Sequence, residues 1–477
     1  KTVFFQSMPK PNVILIVMDT ARCDHFGCYG YSRNTTPNVD AISKESIQFL
    51  RAYSSASWTP PAHASLFTGL YNSKHGVYHG HVFLENTYST LAEILSIEDY
   101  RTISFSNNPW VSEVTQLTRG FEESVEKWEN QKSVKQAAIL KLKSLSSEKV
   151  YNFLKKEADS GVKDKGTYTT NVLIQNWLEE TENDNRPFFM FINYMETHLK
   201  YNPPKPYDRR FIEEKYSNAR ISEVNQDMRK QWSGAIKMTR EDFHILTGLY
   251  DGELNYLDWR IGQLFRYLCE KNILDNTILI ILSDHGENLG DHGLMDHQLC
   301  AYDTLIRIPL IIRYPSKLGT GLIANKLASI TDIFPTLLGL LDIKFSCSDE
   351  LQGVDLFSSE NREYIFSEYE SPLPEMKENR KYYPPDFDPK IFDRDLKVVR
   401  NLRYKFIHSS DSKHELYDIL NDPDEFRNIS NQEEELVQRF IATLDDWLSS
   451  FNRADVKMDH PSLSGLVKER LSALGYF

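Results

Sequence analysis

The chain has 477 residues, with 55 basic against 68 acidic side chains, a formal net charge of −13, 40% hydrophobic and 26% charged residues, and only 21 Gly and 20 Pro. That composition excludes wholesale disorder and supplies a large core, and the length suits about three domains or one large α/β domain with an appendage. The acidic balance excludes a non-specific nucleic-acid binder, which needs a basic surface to displace counterions, but leaves room for a small anionic substrate at a locally positive site.

Residues 1–10 (KTVFFQSMPK) read as a protease-site scar ahead of Met8 and a disordered start, without the apolar centre of a signal peptide. No run approaches the roughly 18 apolar residues that span a bilayer. Pro11–Asp19 (PNVILIVMD) is an unbroken apolar run ending in a carboxylate, the texture of a parallel strand buried on both faces. Ser57–Gly69 (SWTPPAHASLFTG) reads as a turn into a helix, with Pro61 near the first helical turn. Arg101–Asn107, Pro187–Tyr194 and Thr277–Asp284 repeat the strand pattern, and each leads into polar residues: Asn107-Asn108, then Glu196-Thr197-His198, then Asp284-His285. Open α/β sheets place their chemistry beyond the carboxyl ends of such strands. Val134–Lys156, Leu-spaced and free of Pro and Gly, reads as a helical insert spanning about 130–165. Apolar residues at 246, 250, 254, 257, 261, 264 and 268 keep the spacing of an amphipathic helix, and Ile330–Leu341 predicts another, kinked or begun at Pro335.

Beyond about residue 345 the texture changes to short strands, including Glu363–Glu368 and Lys397–His408, and a final amphipathic stretch from Glu433 to Phe451. The expected organisation is a catalytic α/β domain over 11–345 and a C-terminal subdomain with terminal helices over 346–477. Lys377–Pro389, rich in Pro, aromatics and charge, reads either as a cover over the cleft or as a surface crossover. Cys23, Cys28, Cys269, Cys300 and Cys347 are too scattered for a disulfide framework, which points to a reducing cytoplasm unless a signal peptide has been removed. Oligomeric state leaves no legible mark.

Two constellations carry chemistry. Asp19 and Asp284-His285, at two strand ends, are able to converge on one divalent cation. Alone, Asp19 reads as a helix N-cap. The run Ser283–His297 (SDHGENLGDHGLMDH), however, packs three histidines and four carboxylates into fifteen residues, more than a solvated loop needs. The second is Thr59, either a plain N-cap or a hydroxyl held where free N–H groups and the positive end of a helix favour an oxyanion.

These residues resemble the sulfatase family of the alkaline phosphatase superfamily, nearly end to end. Asp19-Thr-Ala-Arg-Cys-Asp24, Gly27-Cys-Tyr-Gly30 and Thr36-Pro-Asn-Val-Asp40 are similar to the family's opening block, and Thr59 through Gly69 occupies its nucleophile signature. Ser283-Asp-His-Gly-Glu287 with Gly290-Asp-His-Gly293 resembles its second metal block. Arg307–Arg313, Glu415–Asp418 and Asn421–Glu425 resemble its closing segments. The resemblance implies a large mixed, mostly parallel sheet flanked by helices on both faces, with a smaller C-terminal α+β subdomain.

The chain departs from the family where the chemistry lies. Sulfatases oxidise a signature Cys or Ser to formylglycine; here the position is Thr59, which cannot yield the aldehyde, and His63 replaces the signature Arg. The sulfate-binding Lys-Trp-His segment has no counterpart, the stretch reading Phe105-Ser-Asn-Asn-Pro-Trp110. Thr20 stands for the second of two paired metal-binding Asp residues, and His297 for the leaving-group Lys. Elsewhere in the superfamily a plain Thr or Ser serves phosphatases, phosphodiesterases and phosphotransferases.

The resemblance therefore implies a metal-dependent ester hydrolase of a small anionic substrate, cleaving phosphate mono- or diesters through Thr59. The alternatives are a sulfatase acting without formylglycine, a phosphotransferase, or a non-catalytic binding protein on the same fold. Asp19, Asp284, His285 and Thr59 are the expected metal ligands, and His285 favours manganese or zinc over calcium. His198 and His297 are the expected proton donor and acceptor, because imidazole titrates near neutrality. His63, Asn107 and Asn108 are the expected oxyanion donors.

Overall fold

The computed structural model describes residues 9–126, 164–345 and 351–454, together with Lys468 and Leu471. The expected helical insert lies almost wholly outside the described residues, as do most of the terminal helices after 454, and the boundary expected at 345/346 falls beside undescribed residues 346–350.

Among the described residues, nine strands form the main sheet: β1 (Asn12–Met18), β2 (Ile47–Tyr53), β3 (Arg101–Ser106), β4 (Glu123–Glu126), β5 (Phe188–Tyr194), β6 (Thr277–Leu282), β9 (Arg307–Ile308), β10 (Leu310–Arg313) and β11 (Leu322–Ser329). The two-residue strands β7 (Asn288–Leu289) and β8 (Met295–Asp296) pair with each other apart from it. The order is β11-β2-β10-β6-β1-β5-β3-β4, with β9 beside β2. Only β9 and β10 run against the rest, so the sheet is mixed and mostly parallel. The unbroken apolar runs follow from this: β1 sits between β5 and β6 and is covered on both faces.

Strand alternation splits those runs between two cores. Val13, Leu15 and Val17 join the cluster holding helix α1 (Thr59–Thr68), while Ile14, Ile16 and Met18 join the cluster on the opposite face. There they meet α2 (Thr167–Glu180) and the 31-residue α3 (Arg240–Glu270). The periodic stretch from 246 to 268 is the middle of α3; the helix starts six residues earlier because Thr239 and Asp242 form a capping box. Helix α4 (Ile333–Leu340) packs beside α1, with Pro335 in its first turn, where the missing N–H costs nothing.

The C-terminal part forms an antiparallel sheet, β12 (Ile365–Tyr369), β13 (Leu396–Arg400), β14 (Tyr404–Ser409) and β15 (Glu415–Asp418). Helix α5 (Glu434–Ser449) lays Val437, Phe440, Leu444 and Leu448 on its Val399, Phe406 and Leu416. A backbone hydrogen bond from Glu368 to the Ser55 carbonyl (2.7 Å) ties β12 to the segment leading into α1. The segment 377–389 is built of short helical turns, with Tyr383 packed near Leu299 and Met376. Among the described residues, no helix is long and apolar enough to cross a membrane. Cys23, Cys28, Cys269 and Cys300 are free thiols.

Candidate active site

The carboxyl ends of β1, β2, β3, β5 and β6 meet in one buried place. Asp19 follows β1, Asp284 and His285 follow β6, Asn108 follows β3, and Thr59 opens α1 after β2; all five are fully buried. Thr59 Oγ1 lies 3.2 Å from His285 Nε2 and accepts a long 3.4 Å contact from Asn108 Nδ2. Asn108 Nδ2 also donates to Asp19 Oδ2 at 2.7 Å, and Asn193, inside β5, donates to the same oxygen at 3.3 Å. Asp284 Oδ1 accepts from the backbone N–H groups of Thr20 (3.2 Å) and His285 (2.9 Å). Thr20 holds a positive φ of 59°, which turns its N–H back toward β6. Gly286 completes the turn after His285: a Cβ there would lie 2.0 Å from the Thr304 carbonyl oxygen.

The donor atoms fit a cation. Asp19, Asp284 and His285 each present an atom within 4.8 Å of the others'. Asp19 Oδ1 and Asp284 Oδ2 are buried without a hydrogen-bond partner, an arrangement that is costly for carboxylates and is relieved by a bound ion. Burial raises Asp19 from the usual 3.8 to about 6, and it raises Asp284 further, helped by the charge of Asp19. His285 is held well below its ordinary value, first by burial and then by the charge of His297, so it presents a neutral imidazole, the form that ligates metals.

The helix start differs from its expected role. Pro60 and Pro61 bring no N–H groups, and the N–H of Ala62 reaches the Trp58 carbonyl at 3.4 Å. The first turn of α1 thus aims Thr59 but offers few backbone donors to an anion, leaving that task to side chains. Of the expected donors, Asn108 reaches Thr59. Asn107, the first residue beyond β3, instead accepts from Thr170 Oγ1 of α2 at 3.1 Å. His63 turns Nδ1 toward the Thr59 carbonyl (3.0 Å) and Asp284 Oδ2 (3.6 Å), and its Nε2 is buried without a partner. Burial lowers it to about 4, so His63 is neutral.

His198 and His297 sit together, their rings 5.1 Å apart, with His297 also 4.6 Å from the His285 ring. They differ in charge. His198 is pushed well below its ordinary value by burial and by His297. For His297, burial opposes the charge, but the Asp296 and Glu287 carboxylates, 3.1 and 3.4 Å from Nδ1, outweigh it and raise the group to about 9. Lys165 fixes the loop carrying His198: its ammonium donates to the carbonyls of Glu196 and His198, both at 2.6 Å, and to Glu253 at 3.0 Å.

Sequence reasoning missed Asn193, Glu287 and Asp296 as parts of this site. Asn193 had a signal, being a polar residue inside the apolar run PFFMFINY. It also missed the wall beside Thr59, where Trp58 stacks on His79 at 4.0 Å and Trp110 meets Trp58 edge-on.

Comparison with known proteins accords with this geometry. The sulfatase family model matches residues 11–343, and a model described as N-sulphoglucosamine sulphohydrolase, C-terminal, matches 290–453. An uncharacterized sulfatase of Escherichia coli (strain K12) is 25% identical over 454 residues, covering 88% of this chain and 83% of its own length. An arylsulfatase of Clostridium perfringens is 25% identical over 477 residues, covering 89% and 91%. Among solved structures, the phosphonate monoester hydrolase of Agrobacterium radiobacter superposes with a TM-score of 0.71 at 21% identity, covering 93% of this chain and 96% of its own.

Proposed function

The chain belongs to the sulfatase family of the alkaline phosphatase-like superfamily, whose members are ester hydrolases, and we propose that it cleaves phosphate mono- or diesters with Thr59 as the nucleophile. The observation that carries this reading is a plain threonine hydroxyl, fully buried, 3.2 Å from His285 Nε2 and beside the two unpaired carboxylate oxygens of Asp19 and Asp284.

Asp19, Asp284, His285 and the Thr59 hydroxyl would hold a divalent ion, and this mixed oxygen and imidazole set suits manganese or zinc better than calcium. Such an ion supplies positive charge that lowers the hydroxyl pKa and holds a phosphoryl oxygen. Thr59, its hydroxyl proton released to solvent under that charge, attacks phosphorus in line through Oγ1, the bond to the leaving alcohol oxygen breaks, and a phospho-threonine forms. Charged His297 gives its proton to the departing oxygen. In the second half, water attacks the phospho-threonine, neutral His198 accepts the water's proton, and the P–O bond to Thr59 breaks to leave the alkoxide; transfer of that proton from His198 to His297, whose rings are 5.1 Å apart, restores both. Asn108 Nδ2 is the donor for the developing negative charge, and one such donor is typically worth about 3 kcal/mol; the expected role of His63 does not follow, because its single N–H, on Nδ1, is given to the Thr59 carbonyl.

The second reading is sulfate-ester hydrolysis without formylglycine, favoured by relatives named as sulfatases. Acid quenching during turnover of an aryl phosphate, followed by peptide mass spectrometry, tests the first reading. It predicts phosphate on Thr59; phosphate release with Thr59 never modified would contradict it.

A further inference from the structure

The imidazole that accepts the water's proton in the second half of the reaction is carried by an irregular loop, residues 196–202, beyond the end of β5. We propose that Lys165 is the positioning residue of this loop and holds His198 where its ring takes a proton from the water attacking phospho-Thr59. The inference rests on the Thr59 reaction proposed above. Lys165 stands two residues before α2, and its ammonium has three N–H donors. All three are used: they reach the carbonyls of Glu196 and His198, both at 2.6 Å, and Glu253 Oε1 at 3.0 Å. The chain turns here, the His198 N–H meeting the Met195 carbonyl at 3.1 Å, and the two neighbouring carbonyls converge on one cation. Glu196 and His198 are buried, so without the ammonium both oxygens would lose this donor away from water.

Glu253, on α3, ties the same cation to the far end of the loop, because its Oε1 also accepts from the Asn202 N–H at 2.8 Å. Thr167 N–H donates to Glu196 Oε1 at 3.0 Å, and the Thr197 hydroxyl donates to the Asp19 carbonyl. The backbone is thus pinned on both sides of His198. The ring is oriented by Nδ1, which donates to the Leu199 carbonyl at 2.7 Å. A carbonyl only accepts, so the proton of this neutral ring sits on Nδ1 and Nε2 is the basic atom. As the water oxygen bonds to phosphorus, one of its protons passes to Nε2, and the P–O bond breaks with its electron pair left on Thr59 Oγ1. A backbone shift at 198 moves Nε2 with it, and a misplacement of about 1 Å costs about 10²-fold in rate. The rival reading makes Lys165 and Glu253 an ion pair that only joins α2 to α3. Its loss would then lower stability and slow both half-reactions alike.

Rapid-quench kinetics of the full chain with manganese and an aryl phosphate, reading phospho-Thr59 by peptide mass spectrometry, separate the two half-reactions. For Lys165→Met, phospho-Thr59 is expected to form at the parent rate and to break down about 10²-fold more slowly. In the steady state kcat and KM then fall together while kcat/KM is held, a split that loosened packing does not give. Lys165→Arg keeps the charge, but a planar guanidinium does not reproduce three tetrahedral bonds, so its breakdown rate is expected between those of Lys165→Met and the parent. Breakdown within about twofold of the parent in Lys165→Met, or formation and breakdown slowed by the same factor, would overturn the proposal. If Lys165→Met fails to fold, Lys165→Arg decides. Slower breakdown with unchanged formation supports the proposal, and both rates unchanged or both slowed alike overturns it. Phospho-Thr59 missing from the parent during turnover would overturn the Thr59 reading and this inference with it. Phospho-Thr59 present in the parent, and broken down as fast in the variants, would overturn this inference alone.

Discussion

The Thr59 hydroxyl and the His285 ring meet at 3.2 Å although 226 residues separate them, because β2 and β6 end on the same side of one sheet. Each residue is fixed from its own side: α1 buries all ten of its residues, and Gly286 lets the chain turn sharply under His285. Removing the hydroxyl therefore subtracts a nucleophile without loosening the frame. Thr59→Ala is expected to lose at least about 10³-fold in kcat, in line with other nucleophile deletions, while metal content changes little. Thr59→Ser is expected to keep part of the activity. Steady-state kinetics with elemental analysis of both variants checks this.

Asn108 links the two halves of the site, its amide donating to Asp19 at 2.7 Å and approaching Thr59 at 3.4 Å. Asn108→Ala is expected to lower kcat about 10²-fold, the cost of one oxyanion donor. Asn193 still donates to Asp19, so metal affinity should fall less than kcat. A fall in metal affinity as large as the fall in kcat would instead make Asn108 a support for Asp19 alone.

Metal removal should matter most at neutral pH. Burial raises Asp19 from 3.8 to about 6, and Asp284 moves in the same direction. A raised carboxyl contributes stability that is complete below about pH 4 and is lost as the pH climbs through about 6. The stripped protein thus pays for Asp19 with about 3 kcal/mol on that climb, and an ion that binds the carboxylate offsets the loss. The difference in Tm between loaded and chelator-treated protein should be small near pH 4, widen through pH 6 as Asp19 titrates, and go on widening above it because Asp284 is raised further. A difference that narrows over this range would contradict the assignment.

The C-terminal sheet is tied down by a buried cation. Lys405 is fully buried on β14, 2.5 Å from Glu425 Oε1 and 3.0 Å from Asp303 Oδ1, and Arg400 reaches the same aspartate at 2.8 Å. Lys405→Ala leaves Glu425 buried without its cation. A loss of about 3 to 5 kcal/mol is expected from denaturant unfolding, as for other broken buried pairs.

How far the sequence spoke depends on how local each signal is. Asp19, Asp284 and His285 were legible because each ends an apolar run whose register the sheet preserves. The mostly parallel sheet was legible for the same reason. Asn107 and Asn108 were not separable, because which neighbour faces Thr59 is decided beyond the end of β3, where Thr170 of α2 takes Asn107 and Asp19 takes Asn108. The pairing of Glu287 with His297 was hidden by a ten-residue excursion through β7 and β8, whose fold depends on Gly290 and Gly293 at positive φ. The donor-poor start of α1 was readable from Thr-Pro-Pro, since proline brings no N–H.

Selectivity between phosphate and sulfate tests the account most directly. A sulfated Thr59 could be released only by another sulfate-ester hydrolysis, because threonine lacks the second hydroxyl with which a formylglycine hydrate expels sulfate. A phosphorylated Thr59 is open to water activated by His198. The decisive measurement is product released per active site, followed from the first turnover, on aryl phosphate monoesters, diesters, phosphonate esters and sulfates with manganese or zinc supplied. Many turnovers on at least one phosphoester class, and no more than one equivalent on the aryl sulfate, are predicted. Sustained sulfate release faster than that from every phosphoester would contradict the account and make this chain a sulfatase that works without formylglycine.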